Sequence, residues 1–201
     1  MYRTLLSLTL FTLLLLGTSP VMGQTTHTVS PGESIQAAID GASDGDTIEV
    51  EEGTYSGTLQ INKSLTVKGP NAGTPGAGSR GAEAIIEGQV ILSADGATLD
   101  GFVVEAPDAN TTFEAEAVRV SNTPNNVTVQ NNIVRDFTDT STATSFFDIA
   151  GINVFGGDGA TAIQNVEVSN NKVERIARDE ADAGARGISI QGHVVGATVE
   201  N

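Results

Sequence analysis

The sequence predicts an all-β fold of stacked coils, a solenoid, closed at its N-terminal end by one short helix. Three observations carry this. The segment around Val127 reads NVTVQNNIVRDF, and the segment around Val166 reads NVEVSNNKVERI. A second matched pair, GINVFG from Gly151 and GISIQG from Gly187, is interleaved with the first. Alternating strands and Asn-rich corners return with a period of about 30–40 residues, the mark of a solenoid or array.

The chain opens with MYRTLLSLTLFTLLLLGTSPVMG. Arg3 is a positive start, Leu5 to Leu16 an apolar stretch, and Val21-Met22-Gly23 a small-residue exit. Residues 1–23 are therefore expected to be a secretory signal cut near Gly23, which places the mature domain, 24–201, outside the cell or on its surface. A retained membrane anchor is the alternative, although the apolar stretch is short for a span. No later segment reads as a membrane span. With no cysteine, neither disulfides nor a cysteine-linked lipid can tether the chain.

From Thr28 the text reads TVSPGESIQAAIDGASDGDTIEVEEGTY. Pro31-Gly32 is a turn and Ser34 an N-cap. Ile35, Ala38, Ile39 and Ala42 then share one helical face, and the helix stops near Gly41 or Gly45. Its expected role is a plug over the bare end of the stacked core. TIEV at Thr47 and LQINKSLTVKG from Leu59 alternate as strands do. One strand position recurs at Val67, Leu99, Val129, Val168 and Val199, and a second at Ile86, Val120, Val154 and Ile190. Two strands per coil thus keep phase while the loops vary. Val127, Val129, Val166 and Val168 are expected inside, with Thr128 and Glu167 facing solvent. Asn131, Asn170 and Asn201 fall at equivalent corners, where asparagine tolerates a left-handed backbone and its amide can bond to the coil above. Gly69 and Gly101 hold the same corner earlier. GPNAGTPGAGSRG from Gly69 reads as a flexible insertion. It is no phosphate loop, because the Gly-Lys-Ser/Thr ending is missing.

SIQAAIDGASDGDTIEVEEGTY, LQINKSLTVKGPNAG and ADGATLDGFVVE resemble the opening of secreted right-handed parallel β-helix proteins of the pectin lyase-like superfamily. NosD-type copper-associated proteins and haloarchaeal surface proteins with short parallel β-helix repeats are similar. The resemblance covers residues 28–201 and implies a right-handed parallel β-helix. It implies no single activity, since that group holds lyases, hydrolases, esterases, binding modules and structural proteins. The chain reaches Asn201 inside a repeat, so further coils are expected beyond it.

Charge narrows the partners. The chain has 25 acidic and 10 basic residues, net -15. Such a surface repels nucleic acid and anionic membranes. It fits a salt-adapted, halophilic protein or an ordinary acidic secreted one. Three stretches are expected to leave equivalent positions as a wall of loops: from Ala106, from Arg135 and from Arg175. Loops on a rigid scaffold concentrate function. Asp136, Asp139, Asp179 and Asp182 are candidate Ca²⁺ ligands. Asp136, Asp148, Arg178 and Arg186 are the candidates for lyase or hydrolase chemistry. The bland alternative is a solvated acidic surface.

Motifs of the resembled enzymes are incomplete. GHVVG at Gly192 offers His193 without a second glycine beside it, no Asp-Asp pair occurs, and the Arg-x-Pro-x-x-Arg pattern is missing. FFDIAG around Asp148 only echoes a pectinesterase-like stretch. His193 reads as a corner residue and His27 as tail. Two histidines and no cysteine argue against a copper or zinc centre. Asn62, Asn110 and Asn126 begin glycosylation tripeptides. The expected function is a secreted or surface scaffold that binds polysaccharide or cell-envelope material. The alternative is a polysaccharide lyase or glycoside hydrolase acting at the acidic loop wall, either with Ca²⁺ as its cofactor or with none.

Overall fold

The computed structural model describes residues 23–106, 116–139, 149–157, 161–178 and 184–200, with only the backbone of Asp139 and Arg178. Its strands form parallel sheets around one apolar core. Sheet A holds seven strands: β1 (Thr26–Val29), β2 (Thr47–Val50), β5 (Thr66–Lys68), β8 (Thr98–Asp100), β11 (Thr128–Gln130), β15 (Glu167–Ser169) and β19 (Thr198–Glu200). Sheet B holds β3 (Gly53–Ser56), β6 (Ala84–Glu87), β9 (Val103–Glu105), β12 (Ile133–Asp139) and β16 (Lys172–Arg178). Sheet C holds β4 (Leu59–Ile61), β7 (Val90–Leu92), β10 (Glu116–Val120), β13 (Ile149–Phe155) and β17 (Ala185–Gln191). A small pair, β14 (Ile163–Gln164) and β18 (Val194–Val195), lies between sheets C and A. The chain visits A, B and C in turn, so each circuit adds one strand to each sheet.

The helix α1 (Ile35–Gly41) begins as the sequence predicts. Ser34 Oγ accepts from the Ala37 amide at 3.2 Å, and Ile35 and Ile39 are buried. The row Val67, Leu99, Val129, Val168 and Val199 pairs in unbroken register in sheet A. Val127, Val129, Val166 and Val168 are inside, while Glu167 is exposed. Two expectations need correction. Each circuit has three strands rather than two. Ile86 does not share a row with Val120: it pairs in sheet B with Tyr55 and Val104, and Leu92 stands opposite Val120. His27 is not tail either. It lies in β1, and its Nε2 stands 3.1 Å from Asp46 Oδ2. Amides of Ser43 and Thr25, with His27, hold the Asp46 carboxyl below the usual range.

The corners explain the asparagines. Asn131 and Asn170 adopt φ of 56° and 55°, and Gly101 holds the same corner at 86°. The amide ladder, however, runs one residue later. Asn132 Oδ1 accepts from the Phe102 amide at 2.9 Å, and Asn171 Oδ1 accepts from the Asn132 amide at 2.9 Å. Asn132 Nδ2 donates to Leu99 O and Asn171 Nδ2 to Val129 O. Asn131 instead donates to Asp100 Oδ1 at 2.7 Å. The left-handed residue keeps its side chain out of the ladder, buried against Asp100 in the case of Asn131, and the next residue points into the stack. Asn201 lies outside the described residues. A second ladder guards the corner before sheet A: Asp44, Asp95 and Asn125 side chains accept from the amides of Ser64, Asn125 and Gln164. Asn126 and Asn165 bond to each other there, at 3.1 Å.

The insertion after Gly69 is a strap, not a loose loop. Its Arg80 guanidinium is buried, grips Glu83 at 2.8 Å, and donates to the carbonyls of Thr74, Asn131 and Phe102. Gly76 donates to Asn170 O at 2.8 Å, and Gly73 to Asp100 Oδ1 at 3.1 Å. The strap thus ties three circuits along the corner between sheets A and B.

Candidate functional site

The three variable stretches leave one corner, between sheets B and C. Glu105, Arg135 and Glu174 stand in register where sheet B meets that corner. Glu116, Ala150 and Arg186 stand in register where sheet C resumes. The segments between have in-register stems, as a wall of stacked loops requires. Part of what reads as loop is strand: β12 runs on to Asp139, and β16 to Arg178. Asp139 and Arg178 are register partners. Asp148, Asp179 and Asp182 lie outside the described residues. Arg186 is exposed on β17.

On the sheet B side a charged network crosses three circuits. Arg135 Nε donates to Glu105 Oε2 at 2.8 Å and lies 3.6 Å from Asp136 Oδ2. Arg175 grips Asp136 with both arms: its Nε meets Oδ1, and Nη2 meets Oδ2 at 2.7 Å. Arg175 also reaches Glu174 at 2.9 Å, and Lys172 reaches Glu174 at 2.9 Å. Asp136 and Arg175 both hold positive φ, 62° and 53°, inside their strands. That backbone is costly for residues other than glycine. It interrupts the pairing of β12 with β16 between Arg135 and Phe137.

This geometry bears on one role of Asp136, that of a general acid. Hydrogen bonds from Arg175 hold its carboxyl below the ordinary value of 3.8, with Arg135 adding to the effect. A general acid needs the opposite shift. Both oxygens are committed to a guanidinium, so a cation would have to break that fork. Among the described residues no group of three His, Cys, Asp or Glu side chains is placed to hold a metal ion. The depressed carboxyl contributes stability above its unfolded value, and this is lost as pH falls through the folded one. Asp136→Asn should therefore lower the melting temperature slightly at pH 7, and the gap should close below about pH 4. Thermal melts at both pH values check this.

The sheet C side holds a feature the sequence reading missed. Arg119, Asn153 and Ser189 stand in register on the face turned away from the core. Asn153 and Ser189 are nevertheless 4% exposed. Asn153 Nδ2 donates to Glu116 Oε1 at 2.7 Å, and Gln191 Nε2 donates to Ser189 Oγ at 2.7 Å. Arg119 stands 3.9 Å from Glu116, a loose pair. Two buried atoms here lack a partner: Arg119 Nε and Asn153 Oδ1. One is a donor, the other an acceptor, and their residues face each other on adjacent strands. The signal was present in the matched pair GINVFG and GISIQG, whose central position is polar in both. His193, by contrast, is exposed in a turn and bonds through its backbone.

Six of the ten basic residues border this corner: Arg119, Arg135, Lys172, Arg175, Arg178 and Arg186. The same stretches and their stems also carry many of the chain's carboxylates, among them Glu105, Glu116, Asp136 and Glu174. Comparison with protein-family models, with curated proteins and with solved structures finds no match. No helix among the described residues is long and apolar enough to cross a membrane.

Proposed function

We propose that the chain is an exported right-handed parallel β-helix of the pectin lyase-like kind, and that its loop-walled face on sheet C binds polysaccharide or cell-envelope material. Three parallel sheets gaining one strand per circuit support the architecture. The observation that carries the function is the orphan pair Arg119 Nε and Asn153 Oδ1. Buried polar atoms without partners are costly, and their exceptions call for a filler. One hydroxyl satisfies both, accepting from Nε–H and donating to Oδ1. A sugar hydroxyl seated there keeps both bonds once the side chains part to admit it. Basic residues interleave with the carboxylates at this corner, so a local arginine can meet an acidic group of a glycan in an otherwise acidic chain.

The test uses the full chain in high salt with Ca²⁺, against oligomers of pectate, alginate and a sulfated glycan. Binding should weaken about tenfold or more in Asn153→Ala and Arg119→Ala, because each removes a bond to the ligand hydroxyl. Unchanged affinity in both folded variants would move the site elsewhere. Unsaturated or reducing-end products would replace the scaffold reading with an enzymatic one.

A further inference from the structure

The exit of the leader and the start of the fold meet at one peptide bond. Val21 and Gly23 are the small residues before the expected cut. The other small pair, Gly17 and Ser19, is followed by Pro20, whose rigid ring and missing N–H suit a peptidase cleft poorly. The fold begins on the far side of Gly23. The Thr25 amide donates to Asp46 Oδ1 at 2.8 Å, and Thr25 O accepts from the Thr47 amide at 2.9 Å. His27 follows in β1, with its Nε2 at Asp46 Oδ2. Between the cut and these bonds stands a single residue, Gln24.

Gln24 is exposed and lies before β1. Among the described residues its backbone nitrogen has no hydrogen-bond partner. Its side-chain Nε2 donates to Thr47 Oγ1 at 3.2 Å, a long bond. Cleavage after Gly23 turns that backbone nitrogen into an α-amine on the same residue as a carboxamide. The two stand at the spacing that closes a five-membered ring, so the attack is intramolecular and entropically favoured. An α-amine titrates at about 8, so a neutral, attacking fraction is present at pH 7.

We propose that Gln24 of the exported chain is converted to pyroglutamate, which seals the mature N-terminus. The α-nitrogen forms a bond to Cδ and the Cδ–Nε2 bond breaks. The proton lost by the amine goes to Nε2, which leaves as ammonia. No metal, oxidant or second substrate enters. Ring closure removes the bond from Nε2 to Thr47 and leaves both Thr25 bonds in place. The lactam has no amine for an aminopeptidase to grip. That matters here because proteolysis concentrates at termini, and β1 has only four residues and is the outermost strand of sheet A. Trimming through His27 would strip Asp46 of two of its partners. The inference rests on the export reading and is independent of the sheet C site.

The test is the intact mass and N-terminal sequence of the full chain, expressed with its leader, collected outside the cell and held at neutral pH. The expected mass is that of residues 24–201 less one ammonia, with the N-terminus blocked to sequencing and to aminopeptidase. Pyroglutamyl peptidase should reopen it. Conversion should follow first-order kinetics at a rate independent of protein concentration, as an intramolecular step requires. Gln24→Ser should be exported with an unchanged melting temperature and a free serine amine. A free Gln24 amine that persists would overturn this inference and leave export standing, as would an N-terminus cut at another bond. A chain that keeps Met1 would overturn both.

Discussion

Asn132→Ala is expected to destabilise the fold by about 3 kcal/mol, because it leaves several buried polar groups unpaired at once. Asn132 is fully buried and stands at the centre of the ladder. Its Oδ1 satisfies the Phe102 amide, and its Nδ2 satisfies Leu99 O and Asn171 Oδ1. Alanine supplies none of these, and water cannot enter a packed stack to replace them. Urea unfolding measures the loss as a lower midpoint with an unchanged slope. Asn131→Gly is the contrast. Its left-handed backbone suits glycine, and only the bond to Asp100 is lost, so its cost should be much smaller. If Asn131→Gly proved the worse of the two, the ladder would run through the corner residue instead.

Arg80→Ala should cost about 3 kcal/mol or more, since removing one partner of a buried ion pair strands the other. The Arg80 side chain is 5% exposed. Its loss leaves Glu83 without its closest cation and removes donors from three carbonyls on separate parts of the chain. Arg80→Lys should recover only part of the stability, because an ammonium cannot reproduce the planar fork that spans Glu83 and the carbonyls. Equilibrium unfolding of both variants checks the order. Increased proteolysis between Gly69 and Glu83 in Arg80→Ala would show that the strap has come free.

The fold was legible where burial enforces a strict period. Val67, Leu99, Val129 and Val168 could be aligned by eye because each is buried in the same core and tolerates no polar substitute. Sheet B was hidden. Its early strands are only three or four residues long, and in the later circuits a two-residue asparagine corner joins them to sheet A, so TVQNNIV reads as one strand. The ladder was displaced by one residue for a related reason. Sequence shows that a corner needs a left-handed residue but not which neighbour points inward. Arg80 looked like part of a loose Gly-rich insertion, since its key acceptor, Asn131 O, lies far along the chain and comes near only after two circuits have closed. Of the candidate site, the common exit of the loops could be read from the strand register. The pairing of Asp136 with Arg175 could not, because it depends on two left-handed residues inside strands. Arg119 and Asn153 went unread because a lone polar residue within an apolar motif carries no mark of its partner.

The most direct measurement is a titration of ¹⁵N-labelled full chain with pectate oligomers in high salt with Ca²⁺. It follows the Arg119 Nε–H and Asn153 side-chain amide signals. If the sheet C face binds polysaccharide, both signals shift and saturate together with the bound fraction. If other signals move while these two stay still, or if no signal moves with pectate, alginate or sulfated glycan, the loop-walled face is not a polysaccharide site.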